Sequence, residues 1–349
     1  MLVGIHKDQY GKFCPFLQKY EEILDYNNIA HVRLDASESD LWKKVSKLDL
    51  FIFRWAHFDW PKQLANTILP IIENEMKIKC FPNQATCWHY DDKIREYYLL
   101  KQAGFPVVDS YIFWDKKKAL KWAETADYPV IFKLKGGAGS KNVILIKNEN
   151  HAIQYIKKMI RKGINPDKFK FTGSTYKKDY DIYREIHKMG GNVLRKHRGE
   201  DISPFWQIHK NYVLFQKFLP NNDYDTRVVI IGNKAMAFRR FCRKNDFRAS
   251  GSSYKDLNPK NIDPDFIKLA FNISSDLKFQ SMAYDFIYAE SSTPKLTEMS
   301  YTCPDKTLIN CPGYWDSDLN WHEGHYWPQY FHLMDALNMP DLKQPEMEL

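Results

Sequence analysis

The stretch YPVIFKLKGGAGSKNVILIK, residues 128–147, sets two apolar runs, VIF and VILI, around a loop that is mostly glycine. Too few residues lie between the runs for a helical crossover, so they are expected to form an antiparallel hairpin. The phosphate loop of nucleoside triphosphatases needs G-x-x-x-x-G-K-[ST] between a strand and a helix. The dinucleotide fingerprint needs G-x-G-x-x-G. Neither applies, because residue 142 is Asn and a strand follows. A glycine-rich hairpin remains. Its backbone N–H groups can close over phosphates as a flap, with Lys133 supplying positive charge beneath, or it can be a plain flexible turn. This stretch alone leaves both readings open.

A second constellation lies further along, where MAYDFIYAE and KLTEMSY (282–290 and 295–301) read as two alternating strands joined across SSTP. If that connection has four residues, Glu290 pairs with Lys295 and Asp285 sits opposite Ser300. Glu298 then falls on the same face, because side chains alternate with period two. Two carboxylates held this close repel unless a cation neutralises them, and hard oxygens suit a Mg²⁺ that bridges a nucleotide's phosphates. The alternative is a pair of solvated strand residues with lysine partners of their own. Against it, a carboxylate in the middle of an apolar strand is costly to bury alone.

Ahead of the glycine hairpin, MLVGIH, AHVRLDA, DLFIFRWA and IKCFPN are short apolar runs separated by helical stretches such as FLQKYEEILDY, DLWKKVSKL and QLANTILPIIENEM. That alternation predicts a small parallel sheet covered by helices and ending near Asn83. DDKIREYYLLKQAG is expected to be a helix with Ile94, Tyr97, Tyr98 and Leu100 on its apolar side, stopped by Gly104. After the hairpin, residues 150–210 are basic and weakly periodic, and are read as a helical insertion, a lid over an acceptor. YVLFQKFLP and DTRVVIIGNKAMAFRRF supply further strands, turned at Gly232 and Asn233. IDPDFIKLAFNISSDLKF is an amphipathic helix beginning near Asp263. In NWHEGHYW the histidines, His322 and His325, are not four apart, so a metalloprotease reading fails. Packing, or an aromatic wall for a sugar ring, is expected instead.

With 349 residues, 44% hydrophobic and 15% aromatic, the chain can build more than one core. Fifty-one basic residues against forty-three acidic ones give +8, an excess concentrated between Lys157 and Lys210. It suits a solvated face or a cleft for a polyanionic substrate. No helix-turn-helix, zinc finger or RNA-binding aromatic motif accompanies it, so nucleic acid is not the expected partner. The six cysteines have no CxxC or metal spacing and read as reduced cytoplasmic thiols. Lys7 and Asp8 break the first apolar run, so neither a signal peptide nor a membrane span is expected.

Taken in order, these residues resemble the ATP-grasp superfamily over about residues 83–330. The stretch from PNNDYDTRVVIIG through RKNDFRASGS to EMSY and CPGYWDSDLNWHEG is similar to ATP-grasp proteins of bacterial capsule and surface-polysaccharide biosynthesis. The resemblance implies an α/β pre-ATP-grasp domain (1–85) followed by a two-lobed α+β ATP-grasp domain. Its first lobe (86–210) would carry the flap and the basic insertion, and its second lobe (211–349) the magnesium site. ATP and Mg²⁺ are the implied cofactors. Lys93 and Lys133 match the lysines that hold the phosphates, and Gly136, Gly137, Ala138, Gly139 and Ser140 match the flap. QKFL, with Gln216, Lys217 and Leu219, matches the linker that reads adenine, although Lys217 stands where many relatives carry Glu. Asp225 and Arg227 match a D-x-R motif. Arg248 matches the arginine facing the reacting γ-phosphate, with Arg239 a less secure neighbour. Asp285 and Glu298 match paired metal ligands, while Ser300 replaces the usual third ligand, Asn.

The implied chemistry is ligation of a small carboxylate to an amine, either of them sugar- or nucleotide-linked, through an acyl phosphate. A kinase or a non-catalytic scaffold would use the same fold. A homodimer is compatible with the sequence, which does not specify assembly.

Overall fold

The computed structural model describes residues 1–8, 12–54, 58–137, 142–166, 207–244, 246–249 and 254–347. Four short strands open the chain: β1 (Leu2–His6), β2 (Ala30–Leu34), β3 (Leu50–Ile52) and β4 (Lys79–Phe81). They form a parallel sheet in the order β2-β1-β3-β4. Between them run α1 (Pro15–Tyr26), α2 (Leu41–Val45) and α3 (Asp59–Pro70). α1 starts with proline, whose missing N–H costs nothing at a first helical turn, and it buries Phe16, Leu17, Tyr20, Ile23 and Leu24 along one side. Two further helices follow, α4 (Gln84–Cys87) and α5 (Lys93–Gln102). The Asn83 side chain caps α4 by accepting from Thr86 N–H, and Asp92 caps α5 by accepting from Ile94 and Arg95.

The chain then builds a second compact unit, Tyr111–Gly137 with the described part of Lys141–Lys217. Its sheet comprises β5 (Ser110–Phe113), β6 (Val130–Lys133), β7 (Val143–Ile146) and β8 (Val213–Lys217) in the order β5-β8-β6-β7, with α6 (Lys116–Ala123) and α7 (Glu149–Arg161). The expected glycine hairpin is present, β6 and β7 pairing antiparallel from Val130↔Ile146 to Lys133↔Val143. On α7, Ala152, Ile156 and Met159 are buried, the i, i+4, i+7 spacing of a single helical face. Trp122 stacks on Phe215 at 4.8 Å to close this core. Ala138, Gly139 and Ser140 of the expected flap, and most of the basic insertion (167–206), lie outside the described residues.

From Phe218 onward the chain belongs to the first unit again. β9 (Tyr224–Ile231), β10 (Lys234–Phe241), β11 (Lys255–Asp256), β12 (Ser281–Tyr288), β13 (Pro294–Ser300), β14 (Gly313–Asp316) and β15 (Trp321–Glu323) form a seven-stranded sheet, β13-β12-β9-β10-β14-β15, with β11 on β10. The β9–β10 turn uses Gly232 at φ +55°, where an added Cβ would strike the Asp335 carboxylate. α8 (Pro264–Asp276) begins at an Asp263 cap, as the sequence predicts. α9 (Asp305–Ile309) and α10 (Pro328–Leu337) complete the chain. Residues 1–85 and 218–349, parts of separate segments in the sequence reading, share one hydrophobic core: Phe51, Phe53 and Ile68 pack in the same cluster as Val228, Phe266 and Tyr284. α10 joins α1 and Phe81 in a second cluster.

Candidate active site

The β12–β13 hairpin places Asp285 opposite Glu298 and Ser300 opposite Ala283. The expected pairing of Asp285 with Ser300 is therefore corrected by two residues. The connection is longer than four residues, since Ile287 already faces Lys295, and a bulge beside Asp285 leaves Thr297 as the extra residue. Asp285, Glu298 and Ser300 still share one face, because directly opposed residues point the same way. The Ser300 hydroxyl donates to the Thr302 carbonyl at 2.7 Å.

Two arginines, the buried Arg240 and the half-buried Arg227, neutralise Asp285. Arg227 donates to it twice, Nε at 2.6 Å and Nη2 at 2.7 Å, and Arg240 Nη2 approaches at 2.8 Å. Arg240 in turn donates twice to Asp225, at 2.6 Å each. Strand register explains the set: Asp285 opposes Arg227 across β12–β9, Arg240 opposes Asp225 across β9–β10, and residues 225 and 227 share a face of β9. Burial works against ionisation of Asp285, but the charges and hydrogen bonds of Arg227 and Arg240 override it and hold the carboxyl far below the usual range. For Asp225 burial prevails over Arg240, and the carboxyl is raised. Arg240 was not singled out from the sequence. Its neighbour Arg239 points to the other face and pairs with Asp256.

Lys93, the first residue of α5, meets Glu298 Oε1 at 3.0 Å. Burial disfavours its charge, but Glu298, Asp91 and Glu96 together raise its pKa. Glu96 is a residue that the sequence reading missed. It is buried, its carboxylate oxygen lies 3.4 Å from Met299 N–H, and burial, reinforced by the charge of Glu298, pushes its pKa well up. The buried side of α5 consists of Lys93, Ile94, Glu96 and Leu100, whereas Tyr98 is 48% exposed, which corrects the expected apolar face. A detectable signal existed, since Lys93, Glu96 and Leu100 are spaced at i, i+3, i+7.

Arg248 folds back on Asp246, Nη2 to Oδ2 at 2.7 Å and Nε to Oδ1 at 2.8 Å. Burial would raise Asp246, but the hydrogen bonds from Arg248 keep it low. In the other unit, Lys133 ends β6 and is buried. Gln216, also buried, lies opposite Ile131, so Lys133 and Gln216 share a sheet face, while Lys217 is exposed. Gly136 is buried. Gly137 has φ +103°, and a Cβ there would lie 2.7 Å from Asn142 Nδ2, so the start of the loop requires glycine. The Leu219 carbonyl accepts from the Asn222 amide at 3.4 Å. The first unit thus gathers Lys93, Asp225, Arg227, Asp285 and Glu298.

No group of three acidic, histidine or cysteine side chains able to enclose a metal occurs among the described residues. Asp285 and Glu298 supply the hard oxygens that Mg²⁺ prefers. Their charges are already matched, however, by Arg227, Arg240 and Lys93. A divalent ion fits here when it arrives with anions of its own, as it does on a nucleotide triphosphate. The WHEGHYW segment is not a metal site: His322 stacks on Tyr314 and pairs with Asp316 at 2.9 Å, and His325 bonds the Ile309 carbonyl.

This assembly is the ATP-grasp fold. A crystal structure of the D-cycloserine synthetase DcsG is similar over 97% of this chain and 99% of that one, with TM-score 0.56 and 13% identity. N5-carboxyaminoimidazole synthetase from Staphylococcus aureus covers 96% of this chain and 76% of its own, with TM-score 0.57 and 13% identity. D-alanine–D-alanine ligase from Bacillus anthracis, solved with ATP, covers 86% of each chain at TM-score 0.51 and 13% identity. No family model matches the sequence, and no curated protein matches it. The likeness is therefore one of fold. No helix among the described residues is long and apolar enough to cross a membrane, and none of the six cysteines is in a disulfide.

Proposed function

We propose that the protein is an ATP-dependent ligase that activates a small carboxylate as an acyl phosphate with release of ADP, then transfers the acyl group to an amine with release of inorganic phosphate. The observation that carries this reading is the cluster of Lys93, Arg227 and Arg240 with Glu298 and Asp285 on one hairpin face, a preorganised set of cations and hard oxygens. It occurs in a fold whose solved examples include a D-alanine–D-alanine ligase. Lys93 and Lys133 would hold the phosphates under the Gly136–Ser140 loop, Gln216, Lys217 and Leu219 the base, and Arg248 the reacting γ-phosphoryl group. Asp285, Glu298 and Ser300 would hold Mg²⁺, which when bound supplies Lewis-acid neutralisation of phosphoryl charge. Neither step needs a protein nucleophile, so positioning and charge neutralisation by these side chains account for the rate. A closed glycine loop would keep water from the acyl phosphate. Surface-polysaccharide or precursor synthesis is the proposed setting, supported by sequence resemblance alone, and cytoplasmic action accords with the unpaired thiols. The three-part division at residues 85 and 210 is kept as a proposal about modules.

Thermal unfolding with a non-hydrolysable Mg²⁺–ATP analogue tests the site. Selective binding at about 100 times Kd raises stability by about 2.7 kcal/mol, and Lys133→Ala and Glu298→Gln should each reduce that gain. No gain at saturating analogue would sink the reading. A second reading, nucleotide binding without turnover, is favoured by the closure of Asp285 within its two arginines. Release of ADP with an acid and an amine excludes it, and trapping of a hydroxamate by hydroxylamine separates the ligase from a kinase.

A further inference from the structure

We propose that Arg54 anchors a binding site for the carboxylate of a small organic acid, one of the substrates of the reaction proposed above. Arg54 follows β3, at the carboxyl end of the parallel sheet. In the order β2-β1-β3-β4 the chain reverses direction between β1 and β3, and open α/β sheets bind ligands at the crevice that such a reversal leaves. A small recess lies there, lined by Phe16, Tyr20, Phe53, Phe81, Tyr301 and His332 around Arg54. It has room for one group, not for a whole substrate.

Arg54 is half-buried in this recess, and its guanidinium is poorly matched there. Its Nε is buried without a hydrogen-bond partner. Its contacts are the face of Phe16, 3.9 Å from the ring centre, and the weak acceptor Cys14 Sγ at 3.6 Å from Nη1. Among the described residues no carboxylate reaches it. Asp305, whose charge is felt at Tyr20, is already held by Lys19 at 3.1 Å and Gln329 at 2.9 Å. His332 adds no charge: its Nδ1 shares a hydrogen bond with the Tyr20 hydroxyl at 2.8 Å, and burial lowers its pKa to about 3. Cys14 is the cap of the twelve-residue α1 and provides no side-chain bond to the helix start, so the positive end of α1 adds to the pull on an anion.

A single guanidinium in an aromatic wall selects a monoanion. A carboxylate matches its planar fork and cancels its charge, whereas a phosphate dianion would leave net charge in a poorly solvated recess. Position links the recess to the candidate active site, because Tyr301 and Thr302 continue from the β13 end that carries Glu298 and Ser300. Both lie within the first unit.

The test is an NMR titration of the full chain labelled with ¹⁵N-arginine, without nucleotide, following the Nε–H resonance that disappears in Arg54→Lys. Acetate and benzoate should move it downfield with saturation. Measured by calorimetry, Arg54→Lys should weaken benzoate binding by about ten-fold or more, because an ammonium keeps the charge but cannot make the two-donor fork. The proposal is overturned if neither acid moves the resonance at about 50 mM, or if inorganic phosphate moves it as strongly as the acids do. Arg54→Lys should keep the thermal gain from the Mg²⁺–ATP analogue. Loss of that gain in the variant alone would overturn the proposal by placing Arg54 in the nucleotide site. Absence of the gain in both proteins would sink the ligase reading, while the acid titration would still decide the fate of the recess.

Discussion

Two arginine environments in the same unit differ in one respect. Across β10, β9 and β12, Arg240 and Arg227 alternate with Asp225 and Asp285 in a chain whose formal charges cancel. Beside β3, Arg54 has an aromatic ring and a thiol, and no carboxylate among the described residues. Taking charge out of water is costly unless it is paired, so the first arrangement satisfies folding by itself and the second leaves a demand for an anion. Arg248 lies between these extremes. It is paired, but with Asp246 only two residues away, a local partner that it can exchange for a phosphoryl oxygen without disturbing the sheet.

If that contrast holds, Asp285→Ala has the largest effect on folding. It strands Arg227 and takes from Arg240 one of its two carboxylates, and urea unfolding should show a loss of about 3–5 kcal/mol. A loss below about 1 kcal/mol would mean that the arginines reach water and the chain of charges is not closed. Arg248→Ala should instead act on turnover, lowering kcat by about 10²–10³-fold, or about 2.7–4 kcal/mol, with little change in analogue binding. Equal losses in both would show Arg248 to be a ground-state ligand.

The recess makes a pH prediction through His332. Its folded pKa, about 3, is below the ordinary 6.5, so between these values the unfolded chain binds the extra proton. Stability therefore falls as pH drops from 6.5 toward 3. His332→Gln should flatten that dependence by about one proton, about 1.4 kcal/mol per pH unit. An unchanged slope would mean that His332 is charged in the fold and Arg54 is not the sole cation there. The smallest effect is on Arg54 itself: Arg54→Met should leave unfolding unchanged or raise stability by up to about 1 kcal/mol, since it removes a cation that no carboxylate among the described residues pairs. A loss of several kcal/mol would place Arg54 among the structural arginines.

Much of the scaffold was legible. The glycine hairpin, the parallel sheet at the start and the Asp263-capped helix follow from local pattern, because turn chemistry, capping and side-chain alternation act over a few residues. The shared face of Asp285 and Glu298 was also legible, since period two survives an error in register. The register was not, because a bulge is set by what packs on both faces of a strand. Nor were Glu96 and Arg240. Each reads as an ordinary surface charge until its partner, Glu298 or Asp285, arrives from a distant part of the chain.

The sequence by itself determined which segments are strands and helices and where the glycine-rich turn, the lysines and the paired carboxylates fall along them, because those properties depend on neighbouring residues and on residue type. Only the tertiary structure decided which arginine meets which carboxylate, that Asp285 is closed within an ion-pair chain, and that Arg54 meets no carboxylate among the described residues. Those outcomes depend on strand register and on helix ends meeting across long separations, and a buried charge is satisfied or left open only by what the fold brings beside it.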